Sequence, residues 1–263
     1  MRGLPMRVGA ATFGALVALS SSAFGEESVF LRTDDLGTLS GGDLEANYSL
    51  ESGRNFADPN EAEFGLRHRL HVAYGITDWL GVSVEQSLKH LLEDDALRVG
   101  VFVPEVRLSL GPLLPDSIGA WPVDLGVFFA PRIRVEARRD PSLHFGLGTN
   151  RRAAGGLQFT ANLGLEITVP AADGSAPTNY GPRYDAGIGW ALGGGIVLSA
   201  EVWGHAAWID SWFLEQEHHL GPSVVFLIGP VRAGFNVAAG LRQRAAQSMY
   251  ADFSGMLSVG FRL

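Results

Sequence analysis

FGLRHRLHVAYGITDWLGVSVEQSL, residues 64–88, is the stretch on which the fold turns. Its even positions up to Tyr74 are Phe64, Leu66, His68, Leu70, Val72 and Tyr74, and the odd ones are Gly65, Arg67, Arg69, His71 and Ala73. Gly75-Ile76-Thr77-Asp78 interrupts, and alternation resumes with Leu80, Val82, Val84 and Leu88 on one side and Ser83, Glu85 and Ser87 on the other. A period of two marks a strand with unlike faces, and two such runs joined through a short Gly-containing connection read as a hairpin. One side is oily and the other charged, so the fold depends on what the oily side touches.

Similar runs recur along the chain. Leu44, Ala46, Tyr48 and Leu50 oppose Glu45, Asn47, Ser49 and Glu51; Phe102, Val106, Leu108 and Leu110 oppose Glu105, Arg107 and Ser109. Val123, Leu125, Val127, Phe129, Ile133 and Val135 oppose Asp124, Arg132, Arg134 and Glu136. Leu157 to Val169 alternates in the same way, and further runs cover 184–192, 196–202, 220–228, 231–241 and 253–263. The oily face carries no acid or base, with His68 and Gln86 as its polar exceptions. The other face holds Glu63, Arg67, Arg69, Glu85, Glu105, Arg107, Asp124, Arg132, Arg134, Glu136, Glu166, Asp185, Glu201, Arg232 and Arg262.

A soluble β-sandwich also alternates, with its oily face packed inward and its polar face wet. Two features favour a membrane barrel. Most runs last about ten residues, enough for a tilted strand to cross a bilayer, whereas strands of soluble sheets more often stop at about five or six. The polar rows mix acids and bases instead of carrying a Lys/Thr/Ser-rich solvated face. In a bilayer every backbone polar group must be paired within the protein, and a closed barrel does this without an edge.

The expected architecture is all-β, a single transmembrane antiparallel up-and-down barrel of about twelve strands over residues 43–263, an even number being usual for bacterial barrels. The even count requires a short strand at Leu143, Phe145 and Leu147, closed by a turn at Asn150 to Ala153. Tight turns at Gly75 to Asp78, Asn150 to Ala153, Gly193 to Gly195 and Gly229-Pro230, with a longer one at Gly111 to Ala120, then share the periplasmic end. Outer loops are expected at 53–60, 89–96, 137–142, 170–183, 207–217 and 243–250. Tyr74, Trp79, Trp121 and Trp190 fall near the periplasmic rim, where amphipathic rings favour the interface.

The chain has 263 residues, 34 Gly, 13 Pro, no Cys and a formal net charge of −8. An acidic chain without a Lys/Arg cluster argues against a nucleic-acid partner. Arg2 and Arg7, the apolar stretch from Val8 to Leu19 and the small residues of Ala23-Phe24-Gly25 read as a signal peptide over 1–25; a retained N-terminal anchor is the alternative. Residues 26–42 are then a periplasmic lead-in to the barrel.

Function is expected on the inward face. Arg132 and Arg134, beside Glu105 and Arg107 on the neighbouring strand, suggest a charge ladder that either narrows the lumen or merely braces its wall. Glu201, His205 and His219 are candidate metal ligands, although their spacing matches no established signature. No nucleotide motif or cofactor site is apparent. An outward Ser/His pair would point to a lipid hydrolase, but His68 has no serine two residues away on its strand. The segment from Ala207 to Leu214 reads as the most apolar outer loop. A structural or adhesion barrel is a third class, and it would want longer loops.

The final strand, with Leu257, Val259, Phe261 and Leu263 in alternation, resembles the C-terminal strand by which outer-membrane barrels are taken up by their assembly machinery; Leu263 stands where Phe is usual. The segments LEANYSLE, the 64–88 hairpin, TANLGLE and LSAEVWG resemble the MetA-like outer-membrane transporters associated with phenol degradation. The resemblance implies a bacterial outer-membrane location after signal-peptide cleavage, contact with lipid and lipopolysaccharide, passive passage of small hydrophobic or aromatic solutes, and inward roles for Glu63 and Glu201.

Overall fold

The structure, a computed structural model, describes residues 39–54, 64–91, 96–110, 124–134, 141–153, 155–168, 178–209, 212–244 and 249–263. Every regular element among them is a strand. The first four are β1 (Leu44–Arg54), β2 (Phe64–Thr77), β3 (Leu80–Leu91) and β4 (Ala96–Ser109). Then come β5 (Asp124–Arg134), β6 (Ser142–Ala153), β7 (Leu157–Thr168) and β8 (Asn179–Gly193). The chain finishes with β9 (Ile196–Ile209), β10 (Trp212–Ile228), β11 (Val231–Arg244) and β12 (Tyr250–Arg262). Each strand pairs antiparallel with its sequence neighbours, and β12 returns to β1, giving a closed barrel of twelve strands. Closure runs from Glu45 opposite Arg262 to Gly53 opposite Ser254, and Leu44 and Leu263 exchange backbone hydrogen bonds of 3.0 and 2.9 Å at the seam.

Burial follows the two-residue period with the polarity of a soluble protein reversed. On β12, Phe253, Leu257, Val259 and Phe261 point outward and are exposed, while Asp252, Ser254 and Ser258 point inward and are buried. On β7, Phe159 and Leu163 are exposed while Gln158, Thr160 and Asn162 are buried. No second sheet covers the apolar side among the described residues. A continuous exposed apolar wall of this kind calls for an apolar surrounding.

Both polar exceptions on the outer wall find partners. The Tyr48 hydroxyl shares a 2.7 Å hydrogen bond with His68 Nδ1, and Gln86 Nε2 donates to the Ser87 carbonyl at 2.8 Å. A second outward Tyr–His pair, Tyr184 with His218 at 2.7 Å, spans β9 over Gly204, where any Cβ would press on the Tyr184 hydroxyl and His218 Nδ1. Such pairing is what a polar group in an apolar surrounding needs.

The structure revises several expected boundaries. β6 is a full strand reaching Ala153, and the turn includes Gly155 and Gly156, which adopt φ of 79° and 78°. Those left-handed angles suit glycine, and the Asn150 to Ala153 turn is replaced by continued pairing with β7. The apolar segment from Ala207 to Leu214 is a hairpin tip. β9 continues to Ile209, β10 begins at Trp212, and Trp208 meets Phe213 edge-on across the pair. β8 and β10 also start earlier than expected, at Asn179 and Trp212. Outward residues near the outer end of β10 include Gln216 and His218, so this part of the wall lacks the oily alternation that exposes a strand to sequence reading.

Residues 1–25, the lead-in up to residue 38, Trp121 and most outer-loop residues lie outside the described residues. The end of the lead-in packs beneath the β2–β3 turn. Gly41 N–H donates to Asp78 Oδ1 at 2.9 Å, Gly42 N–H donates to the Gly75 carbonyl at 2.8 Å, and Gly75 N–H donates to the Asp43 carbonyl at 3.0 Å.

Candidate functional site

The barrel encloses a cavity of about 460 Å³. Inward positions of most of the strands line it. Its lining contains Arg67, Arg69, Lys89, Arg107, Arg132, Arg183 and Arg242 against Glu51, Glu85, Glu105, Asp185 and Glu217. A chain of net charge −8 thus places more bases than acids on the lining of this cavity.

Ion pairs organise this wall. Glu51 holds Arg69 at 2.7 Å and Arg67 at 3.5 Å, which ties β1 to β2. Glu166 accepts from Arg183 Nη1 at 2.6 Å on one oxygen and from Ser142 Oγ at 2.7 Å on the other, joining β6, β7 and β8. Glu217 pairs with Arg242 and lies 2.7 Å from His219, whose ring stacks on Trp203 at 5.2 Å and 7°. These side chains are largely withdrawn from solvent, so the Coulombic gain of each pair is offset by the desolvation of its two charges. Their larger effect is to fix where long side chains lie.

The tight-turn end of the β8–β10 sector is filled by packing. Val197, Val225 and Leu227 form a buried inward cluster with Ala191 beside it. Just above, Asn236 Nδ2 donates to Ser223 Oγ at 2.8 Å and the Ser223 hydroxyl donates to the fully buried Glu201. The cavity does not reach this cluster and descends toward β1 and β4, where Asn47 and Arg107 line it. Asn47 also lines a small hollow near the β1–β12 seam at the tight-turn end together with Glu45, Arg232 and Arg262.

The fold is that of solved outer-membrane channels. The chain matches the NanC porin with a TM-score of 0.58 at 9% identity, over 84% of this chain and 100% of that one. It matches an outer-membrane channel from Pseudomonas putida F1 with a TM-score of 0.59 at 10% identity, over 89% and 100% respectively. Likeness at such low identity speaks for the fold. No family model and no curated protein sequence matches the chain.

Among the residues singled out from the sequence, Arg67, Arg69, Glu85, Glu105, Arg107, Arg132 and Asp185 line the main cavity. Glu166 pairs with Arg183, Glu201 lies in the buried Ser223 network, and Arg232 lines the small hollow at the tight-turn end. Glu63 and Glu136 lie outside the described residues; Asp124 and Arg134 belong to β5, but their side chains lie outside the description. The expected ladder between β4 and β5 does not form. Arg107 stands opposite Phe128 and Val101 opposite Arg134, so the same register sets Arg132 level with Val103, and Glu105 pairs with Arg107 on its own strand. The stagger of a barrel wall shifted the pairing by several residues from simple side-by-side placement.

The candidate metal ligands do not converge. Glu201 bonds Ser223, His205 lies 3.2 Å from Glu215, and His219 lies 2.7 Å from Glu217. No group of three metal-ligating side chains occurs among the described residues. His68 is partnered by a tyrosine, Tyr48.

Several cavity residues escaped the sequence reading. Lys89, Glu217 and Arg183 had been placed in or beside outer loops, and Arg242 lies just beyond the expected end of its strand. Phe128, Val101, Val103 and Trp203 are apolar residues on the inward face, with no charge in the sequence to single them out. Strand parity alone places Phe128 with Asp124 and Arg132, and it was the available signal.

Proposed function

We propose that the protein is an outer-membrane barrel through which small solutes pass passively along a narrow, charged lumen. The supporting observation is the polar-lined cavity of about 460 Å³ inside a closed barrel whose outer wall is apolar. That volume suits one small molecule at a time, within the roughly 300–1,000 Å³ common for ligand sites. A twelve-stranded barrel lies between the side-chain-filled eight-stranded case and the open channel of about sixteen strands. Packing at the base of β8–β10 narrows the path further.

Residues 1–25 act in this reading as a cleaved signal peptide and residues 26–42 as a periplasmic lead-in. The C-terminal strand engages the barrel-assembly machinery, and the wall contacts lipid and lipopolysaccharide. The resemblance to MetA-like transporters supports solutes with aromatic or apolar bodies. Reconstituted protein in planar bilayers is expected to give small, discrete conductance steps, and liposomes containing it are expected to swell in small solutes but not in oligosaccharides. Large unselective conductance, or intact liposomes with every solute, would refute the reading.

A further inference from the structure

Arg132 differs from the other cavity arginines. Arg67 and Arg69 are held by Glu51, Arg107 by Glu105, Arg183 by Glu166 and Arg242 by Glu217. Arg132 makes no ion pair or hydrogen bond with any described residue, and its Nε is sealed from solvent without a partner. Arg69 and Arg183 are near enough to repel it, and Glu166 and Glu85 near enough to attract it. Both oxygens of Glu166 are already engaged, by Ser142 and by Arg183. A guanidinium presents five donors in a planar fork that matches a carboxylate. Leaving a buried donor such as this Nε unmet is costly, and the remaining donors of the fork are free of protein partners among the described residues, so a hydrogen-bonding anion would be a strong complement.

The adjoining wall is apolar. Val103, Phe128 and Ala130 form a buried cluster with Val101 beside it. Phe128 meets His144 edge-on, with ring centroids 4.8 Å apart and planes at 72°. Val103, Phe128 and His144 line the same cavity as Arg132. An inorganic anion would satisfy the arginine and leave this wall unused. A neutral hydrocarbon would do the reverse, and an amine would face a lining richer in bases than acids.

We propose that Arg132, with Phe128 and His144 beside it, forms a lumenal binding site for small carboxylates that carry an aromatic or compact apolar body. The site rests on the permeation reading, since it gives that path its solute class. Two measurements keep them separable: calorimetric titration of the detergent-purified barrel reports the site, and planar-bilayer current reports the path. Benzoate is expected to bind, acetate at least about tenfold more weakly, and benzylamine not at all. Arg132→Gln is expected to weaken benzoate at least about tenfold, as loss of charge-assisted hydrogen bonds implies. Arg132→Lys keeps the charge without the fork and is expected to fall between; it serves if the Gln variant fails to fold, judged by heat-shifted gel mobility. Phe128→Ala is expected to narrow the benzoate-to-acetate ratio severalfold. Folded protein that ignores benzoate, binds benzylamine equally, or binds benzoate unchanged in both Arg132 variants overturns the proposal. A barrel that conducts but does not bind loses the site alone. One that binds but passes neither current nor solute keeps the site and loses the path.

Discussion

Ser223 carries more than its size suggests. Its hydroxyl donates to Glu201, which is fully buried, and accepts from Asn236, so one atom links β9, β10 and β11 near the base of the lumen. Ser223→Ala removes that link while leaving the carboxylate in place, and it is expected to destabilise the barrel by about 1–3 kcal/mol. The midpoint of urea unfolding in lipid vesicles measures it, and an unchanged midpoint would show that the network contributes nothing. At this scale the sequence was informative about direction but not about partners. Parity put Glu201 on the inward side, yet only the pairing of Gly221 with Glu201 and of Ser223 with Asn236 showed which groups meet. The same holds for His68, whose partner Tyr48 lies 20 residues away on the adjoining strand.

Among the elements, the β4–β5 seam is the weak one. Pairing is present at Phe102–Ile133 and resumes at Val106–Phe129, and the gap contains Pro104 and Pro131, residues with no N–H to give to a ladder. β9 and β10, by contrast, pair continuously from Glu215–Ala207 to Phe226–Ile196. Backbone amides flanking the gap are therefore expected to exchange with deuterium markedly faster than those at the middle of β9–β10, since local opening follows local hydrogen bonding. Equal protection in the two places would contradict this. Strand existence and order were readable wherever one face was oily. Strand ends on β8 and β10 were not, because Gln216 and His218 leave no apolar row to mark the outward side there.

At the scale of the whole molecule, charge is sorted by place. The chain is acidic overall, but the lining of its main cavity holds more bases than acids, and Glu51 restrains two of those bases at once. Glu51→Gln is expected to move the reversal potential in a KCl gradient toward that of chloride, with the shift shrinking at molar salt as screening increases. A stability change without such a shift would assign Glu51 a bracing role only. The sequence by itself determined the barrel. A two-residue period repeated along the chain sends one row of side chains to each face, and long oily rows free of charge have to face something apolar. Tertiary structure alone decided what the interior holds. Register and stagger set Arg132 level with Val103 and away from Glu105, joined Arg183 to Glu166, and filled the base of β8–β10 with Val197, Val225 and Leu227. Alternation says which way a side chain points, but contacts across strands depend on how far each strand slides past the next.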